Sequence, residues 1–195
     1  MAAPDDGWAV GGATMLQWDG VRWREAPAAR CSLNAVAMVS ATDGWAVGAH
    51  GCILHWDGSS WDQMVSPTWF DLSSVAMLSA QDGWAVGGSA FLHWDGRGWS
   101  NMNAAPIGSA QSVTALSPWS VWSVGNGIHQ WDGSAWSRAA NPTSRHLNGV
   151  ALKSSAGGWA VGEGLILRYT GLLPTARVYL PMIEHEQENL HAKSH

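Results

Sequence analysis

The hexapeptide Asp-Gly-Trp-Ala-Val-Gly stands at residues 43–48 and returns at 82–87, with further versions over Asp6–Gly11, Ser120–Gly125 and Gly157–Gly162. Measured on their tryptophans (Trp8, Trp45, Trp84, Trp122 and Trp159), the five copies lie 37, 39, 38 and 37 residues apart. A second signature comes after each: Gln-Trp-Asp-Gly at 17–20, His-Trp-Asp-Gly at 55–58 and 93–96, Gln-Trp-Asp-Gly at 130–133, and a degraded Arg-Tyr-Thr-Gly at 168–171. In the first four units another tryptophan comes five residues later (Trp23, Trp61, Trp99 and Trp136), whereas the fifth holds Pro174. Self-similarity at a fixed period of this length marks an array whose units cannot hide their own apolar faces and must stack.

Each unit reads as four short strands. The first alternates apolar and small residues (Val36, Met38; Val75, Met77). The second is the hexapeptide, with Trp45 and Val47 on one face and Ala46 on the other. The third places Leu54 and Trp56 on one face and Ile53 and His55 on the other, and the fourth begins at Trp61. Asp-Gly turns separate first from second and third from fourth, a hairpin signal because glycine tolerates positive φ. No 3.6-residue apolar period appears, so no helix is expected in residues 1–171. Hairpin-linked strands, apolar on both faces, describe propeller blades. The expected fold is all-β: a propeller of five four-stranded blades near 1–32, 33–71, 72–109, 110–146 and 147–180, then a polar, flexible tail at 181–195.

Ring closure is expected to be imperfect. A first strand begins twelve residues before the hexapeptide tryptophan, as Leu33–Trp45 and Leu72–Trp84 show, so the first unit has none of its own. The fifth unit's fourth strand traces over Leu173–Leu180. Beyond it, the core slot held elsewhere by Val36, Val75, Val113 and Val150 falls on Glu188, near Glu184 and Glu186. Burying that charge without a partner is unfavourable, so the tail is not expected to supply the missing strand. Three outcomes stay open: five blades that close with one strand missing, an open edge that pairs with another chain as a homo-oligomer, or a chain that is an excerpt of a longer repeat protein.

These residues carry a resemblance. Trp-Asp-Gly-Ser-Ser-Trp at 56–61 resembles the Asp-box, the Asp–Gly turn plus tryptophan between third and fourth strands of sialidase-type blades. The whole unit at 72–99, LSSVAMLSAQDGWAVGGSAFLHWDGRGW, is similar to repeats of the photosystem II stability/assembly factor family and its bacterial relatives. The resemblance covers residues 1–171. It implies a propeller, usually extracytoplasmic, that acts by binding, and it implies no particular ligand.

The chain has 15 tryptophans against two tyrosines and two phenylalanines. Each indole buries about 150–250 Å², so most must be core. A net charge of −5 with no basic stripe argues against a nucleic-acid partner. No apolar run approaches a membrane span, and the opening MAAPDDGW has neither the basic nor the apolar region of a signal peptide. Cys31 and Cys52 are too few for a disulfide scaffold or zinc cluster. With one strand between them they are expected to be unbridged, since two strand spacings come to about 9.6 Å, beyond the ~7 Å Cα limit for a disulfide.

Asp19, Asp57, Asp95 and Asp132 look like a ring of metal or sugar ligands, yet aspartates in Asp–Gly turns accept backbone N–H bonds within their own turn, and that structural role is expected. No metal or cofactor is expected. His55 and His93 share a slot with Gln17, Gln130 and Arg168, a half-exposed strand face rather than a metal site. His185, His191 and His195 have no fixed ligand geometry. No catalytic motif is present. A sialidase-like glycosidase is the remotest reading: those enzymes use an arginine triad, an acid and a tyrosine nucleophile, and only Tyr169 and Tyr179 exist here.

The tryptophans that break the pattern are Trp119, in a short turn, and Trp69, which lies beside Phe70 in an inter-blade loop. The inter-blade loops are long, proline-bearing and unalike, and variable loops on a rigid scaffold are where binding resides. The candidates are Arg30, His50, Trp69, Phe70, Asn101, Asn103, Arg145 and His146. The expected function is a non-enzymatic scaffold with a protein partner; the alternative is a lectin-like propeller that binds carbohydrate. Equivalent sugar pockets call for repeating polar residues in the loops, and these loops do not repeat, which favours the scaffold.

Overall fold

The computed structural model describes residues 6–102, 108–155 and 157–170. Its strands are β1 (Gly7–Gly11), β2 (Thr14–Trp18) and β3 (Trp23–Glu25); β4 (Leu33–Ser40), β5 (Asp43–Gly48), β6 (Ile53–Trp56) and β7 (Trp61–Gln63); β8 (Ser74–Ser79), β9 (Asp82–Gly87), β10 (Ala90–Trp94) and β11 (Trp99–Asn101); β12 (Ala110–Ser117), β13 (Ser120–Gly125), β14 (Ile128–Trp131) and β15 (Trp136–Arg138); and β16 (Gly149–Ser154), β17 (Gly157–Gly162) and β18 (Leu165–Tyr169). They form five antiparallel sheets, each a meander of sequence neighbours. The second, third and fourth blades have four strands, and the first and fifth have three among the described residues. Apart from strands, these residues contain a single 3₁₀ turn, Ala49–Gly51.

Among the described residues the first blade has no counterpart of the first strands β4, β8 and β12. The expected fourth strand at Leu173–Leu180, the tail glutamates and the tail histidines lie outside the described residues, as does Asn103. The first strands of neighbouring blades pack side by side, β4 on β8, β8 on β12 and β12 on β16, with β1 taking that place against β4. Side chains of the first strands link blades: Asn34 Nδ2 donates to the Leu72 carbonyl (2.9 Å), and the Ser74 and Ser112 hydroxyls accept from Val113 N (3.1 Å) and Val150 N (3.2 Å). No comparable packing joins β16–β18 to β1–β3 among the described residues.

The blade junctions explain the residues of the hexapeptide. Trp45 and Val47 on one face of β5 are sealed by the third blade, together with Ala85, Leu92, Trp94 and Trp99. Ala46, on the opposite face, is sealed with Leu54 and Trp56 against Trp8 and Met15 of the first blade. Period-2 alternation therefore places Trp8, Trp45, Trp84 and Trp122 toward the following blade. The closing glycine has a steric reason. A Cβ at Gly48, Gly87, Gly125 or Gly162 would collide with the carbonyl oxygen of Ser32, Asp71, Ser109 or His146, where the inter-blade loop crosses the strand end. At Gly11, with no such loop beside it, an added Cβ meets nothing within 4 Å.

The cysteines overturn the expectation that they stay apart. Cys31 and Cys52 are bridged, with Cα atoms 6.4 Å apart, inside the range a disulfide accepts. Strand register does not govern Cys31, because it lies in the loop before β4. That loop folds over the turn between β5 and β6, where Ala49 N donates to the Ser32 carbonyl (2.8 Å), and Cys52 ends that turn.

Candidate functional site

One end of the propeller is built from tight turns. Asp57 accepts from the backbone N–H of Ser59 (2.7 Å) and Ser60 (2.8 Å) and from the Ser59 hydroxyl (2.8 Å). Asp132 repeats this with Ser134 N, Ala135 N and the Ser134 hydroxyl at 2.8, 2.9 and 2.8 Å. Asp95 accepts from Arg97 N and Gly98 N at 2.9 and 3.0 Å. Asp19 takes Val21 N and Arg22 N at 3.0 and 2.9 Å and is also bonded by the Arg24 guanidinium. In each turn the next residue is a glycine with positive φ, from 85° at Gly96 to 98° at Gly133, a conformation glycine takes at little cost.

Hydrogen bonds to the ionised form favour it. The Arg22 N–H, then the Arg24 side chain, lower Asp19 to about 2. The Ser60 N–H, then the Ser59 hydroxyl, do the same for Asp57. For Asp132, also about 2, the donors are the Ala135 N–H and then the Ser134 hydroxyl. The Gly98 N–H, then that of Arg97, hold Asp95 below the usual carboxylate range. Each carboxylate is occupied by its own turn. Among the described residues no group of three His, Cys, Asp or Glu could hold a metal ion.

The tryptophans divide by role. Trp56, Trp94 and Trp131 donate their indole N–H to the carbonyls of Ala41, Ala80 and Pro118, each at 3.0 Å, tying the third-to-fourth turn to the first-to-second turn. His55 and His93 lie on the hexapeptide tryptophans, ring centroids 4.4 Å from Trp45 and 4.5 Å from Trp84, and bond Asp43 and Asp82 (2.9 Å each). Arg168, in the same slot, stands over Trp159 at 5.8 Å. That slot supports an indole face. Tyr169 packs on Trp122 (5.1 Å) in the junction between the fourth and fifth blades.

The opposite end carries the long loops, and four of the candidate residues gather at the second blade. His50 sits at the crown of the β5–β6 turn with φ 55° and an exposed ring. Its N–H donates to Oδ1 of Asp71 (2.7 Å), the residue directly after Trp69 and Phe70. Arg30 adjoins the disulfide that fastens its loop to the same turn. Trp69 is 88% exposed and Phe70 57%. They do not cover a core edge. The loop that presents them is nonetheless fixed: Thr68 is buried, its hydroxyl accepts from Phe70 N (3.1 Å), and Ser66 Oγ bonds the Thr68 carbonyl (3.2 Å). Val65, 88% exposed in the same loop, adds to the apolar surface. The sequence places it in the inter-blade loop but does not single it out, because a lone valine there breaks no repeat.

Arg145 and His146 form a second group at the fifth blade. Arg145 donates to the Glu163 carbonyl (3.1 Å), His146 N donates to Glu163 Oε2 (3.0 Å), and the His146 ring bonds Asn126 Oδ1 (2.7 Å). These contacts fasten the loop to two neighbouring turns. Asn101, expected in a loop, is the last residue of β11 and pairs with Leu92, because the fourth strand runs three residues rather than ending at its tryptophan. Trp119 is 66% exposed at the far, tight-turn end.

No protein-family model matches the chain, and no curated protein matches it in sequence. Solved structures do. YCF48 bound to D1 peptide superposes with a TM-score of 0.65 at 21% identity over 85% of this chain and 61% of that one. YCF48 from Cyanidioschyzon merolae gives 0.63 at 17% over 86% and 64%. The WD40 β-propeller domain of Doa1 gives 0.73 at 13% over 91% and 65%. The chain thus spans less than two thirds of each of these structures. The likeness expected from the Asp–Gly turns and hexapeptide strands is found in three dimensions: the chain has a β-propeller fold resembling that of the photosystem II assembly factor YCF48 and of WD40 domains.

Proposed function

We propose that the protein is a non-enzymatic scaffold that binds a protein or peptide partner through the loop end of its second blade, with Trp69 and Phe70 as anchors and Val65, His50 and Arg30 around them. The observation that carries this reading is the exposure of two adjacent aromatics on a loop whose backbone is pinned by buried Thr68. Exposed apolar patches of this kind mark interaction sites, and aromatics on a preorganised backbone bind with little ordering cost. YCF48 has been solved with a bound peptide, which supports a peptide-class ligand here. The Cys31–Cys52 bridge supports an oxidising compartment, in keeping with the extracytoplasmic placement that the resemblance implies.

The test is a displayed random-peptide library selected against the wild-type chain, with a glycan array in parallel. Selected peptides should lose binding by tenfold or more to a Trp69→Ala/Phe70→Ala double variant whose melting temperature stays close to wild type. Glycan binding without peptide selection would overturn the reading in favour of a lectin. Peptide binding untouched by the double variant would move the site elsewhere.

A further inference from the structure

The first three junctions between blades use one device. The hexapeptide tryptophan of one blade seats between two tryptophans of the next, tilted on the first and edge-on to the second. Trp8 lies 4.8 Å from Trp56 and 5.2 Å from Trp61. Trp45 lies 4.6 Å from Trp94 and 5.3 Å from Trp99. Trp84 lies 4.9 Å from Trp131 and 5.3 Å from Trp136. Trp122 continues the series on Tyr169. Four junctions use four plugs and four sockets, and five blades carry one more of each.

The surplus plug is the outer face of the fifth blade. Trp159, Val161 and Ile166 are 47, 43 and 49% exposed, whereas their counterparts in the third blade, Trp84, Val86 and Phe91, are 0, 0 and 1%. The surplus socket is the outer face of the first blade. Trp18 and Trp23 hold centroids 5.6 Å apart, matching the occupied pairs Trp56–Trp61 at 5.6 Å and Trp94–Trp99 at 5.8 Å. With Gly7 they line an open recess of about 260 Å³. Trp23, 49% exposed, presents its indole to solvent beside it. The socket repeats the spacing of those that hold an indole, and among the described residues no indole fills it.

We propose that this socket receives Trp159 of a second copy of the chain, joining first blade to fifth blade head to tail. The chemistry names the occupant: the same chain carries both unpaired halves, and three established junctions of matching construction show how they fit. Among the described residues the two halves do not pack on each other, and the chain spans 61 to 65% of the solved structures it resembles. A contact between unlike faces is heterologous, so it extends until the accumulated rotation closes it. This surface lies on the sheet faces, distinct from the loops of the proposed binding site, and stands or falls without them.

Sedimentation of wild type, Trp159→Glu, Trp23→Glu and a one-to-one mixture of the two variants tests it. Wild type should self-associate across a concentration series, and each variant alone should sediment as a monomer. The mixture should yield a dimer that grows no further, because only one competent plug and one competent socket remain. Val161→Glu repeats the plug lesion should Trp159→Glu fail to fold. Three results overturn the proposal: a wild type that stays monomeric, with or without Trp159 shielded from acrylamide quenching; variants that associate as wild type does; or a mixture that stays monomeric.

Discussion

Trp84 and Trp159 occupy the same slot of the same repeated strand, yet one is sealed from water and the other stands open. The strands around them are written almost identically, so the difference lies in the neighbouring blade, present beside Trp84 and absent beside Trp159 among the described residues. The inner blades have neighbours on both faces. Among the described residues the first and fifth have one each, and there the same residues become surface. A repeated motif therefore specifies a strand and the direction its indole points, while burial is conferred by the next repeat.

The strongest way to break that comparison is a matched pair of truncations. Trp84→Ala should cost about 3–5 kcal/mol, the usual penalty for emptying a sealed aromatic site. Trp159→Ala, measured at a concentration where the chain is monomeric, should cost about 1 kcal/mol or less, as surface positions do. Equal losses in urea denaturation would show that the fifth blade is covered after all. Next in size is the covalent link where the first blade meets the second. Cys31→Ser with Cys52→Ser should cost about 3 kcal/mol, the entropy of a closed loop of about twenty residues, and non-reduced mass spectrometry must first find the 31–52 bridge.

A smaller effect separates the closing glycines. Gly48→Ala drives a methyl into the Ser32 carbonyl and should cost about 1–3 kcal/mol by overpacking. Gly11→Ala has open space and a φ that alanine accepts, so it should be neutral or stabilise by up to about 1 kcal/mol through the unfolded chain. The smallest effect is electrostatic. The turn carboxylates of the first four blades titrate below the ordinary aspartate value of 3.8, three of them at about 2. Their contribution is present above about pH 4 and is lost as pH falls toward 2, because the unfolded chain binds those protons first. The fifth blade has Thr170 in that slot and contributes nothing. An acid titration of melting temperature should show a slightly shallower decline in Asp57→Asn than in wild type.

The array, its period and the missing first strand were legible because they follow from spacing alone. The Asp–Gly turns were legible because their hydrogen bonds close within two or three residues, as at Asp57. Loop paths were not. Cys31 approaches Cys52 only because a loop bends over a turn, and no period encodes that bend. Asn101 looked like loop because the fourth strand is too short to show an alternation. Among the site candidates, Trp69 and Phe70 stood out by breaking the repeat. His50 is placed beside them by the bond from its N–H to Asp71, a contact across 21 residues.

The meander order of each sheet has a consequence for how fast such a molecule assembles. Every strand pairs with its neighbour in sequence, and the hydrogen bonds that the Asn34, Ser74 and Ser112 side chains make between blades reach across 38, 39 and 38 residues. Closing short loops costs little entropy, and chains of local contacts fold faster than sandwiches that must pair distant strands. Formation can nucleate in any inner blade and spread outward one unit at a time. On that route the transition state for refolding is about one blade junction in size, whatever the number of blades.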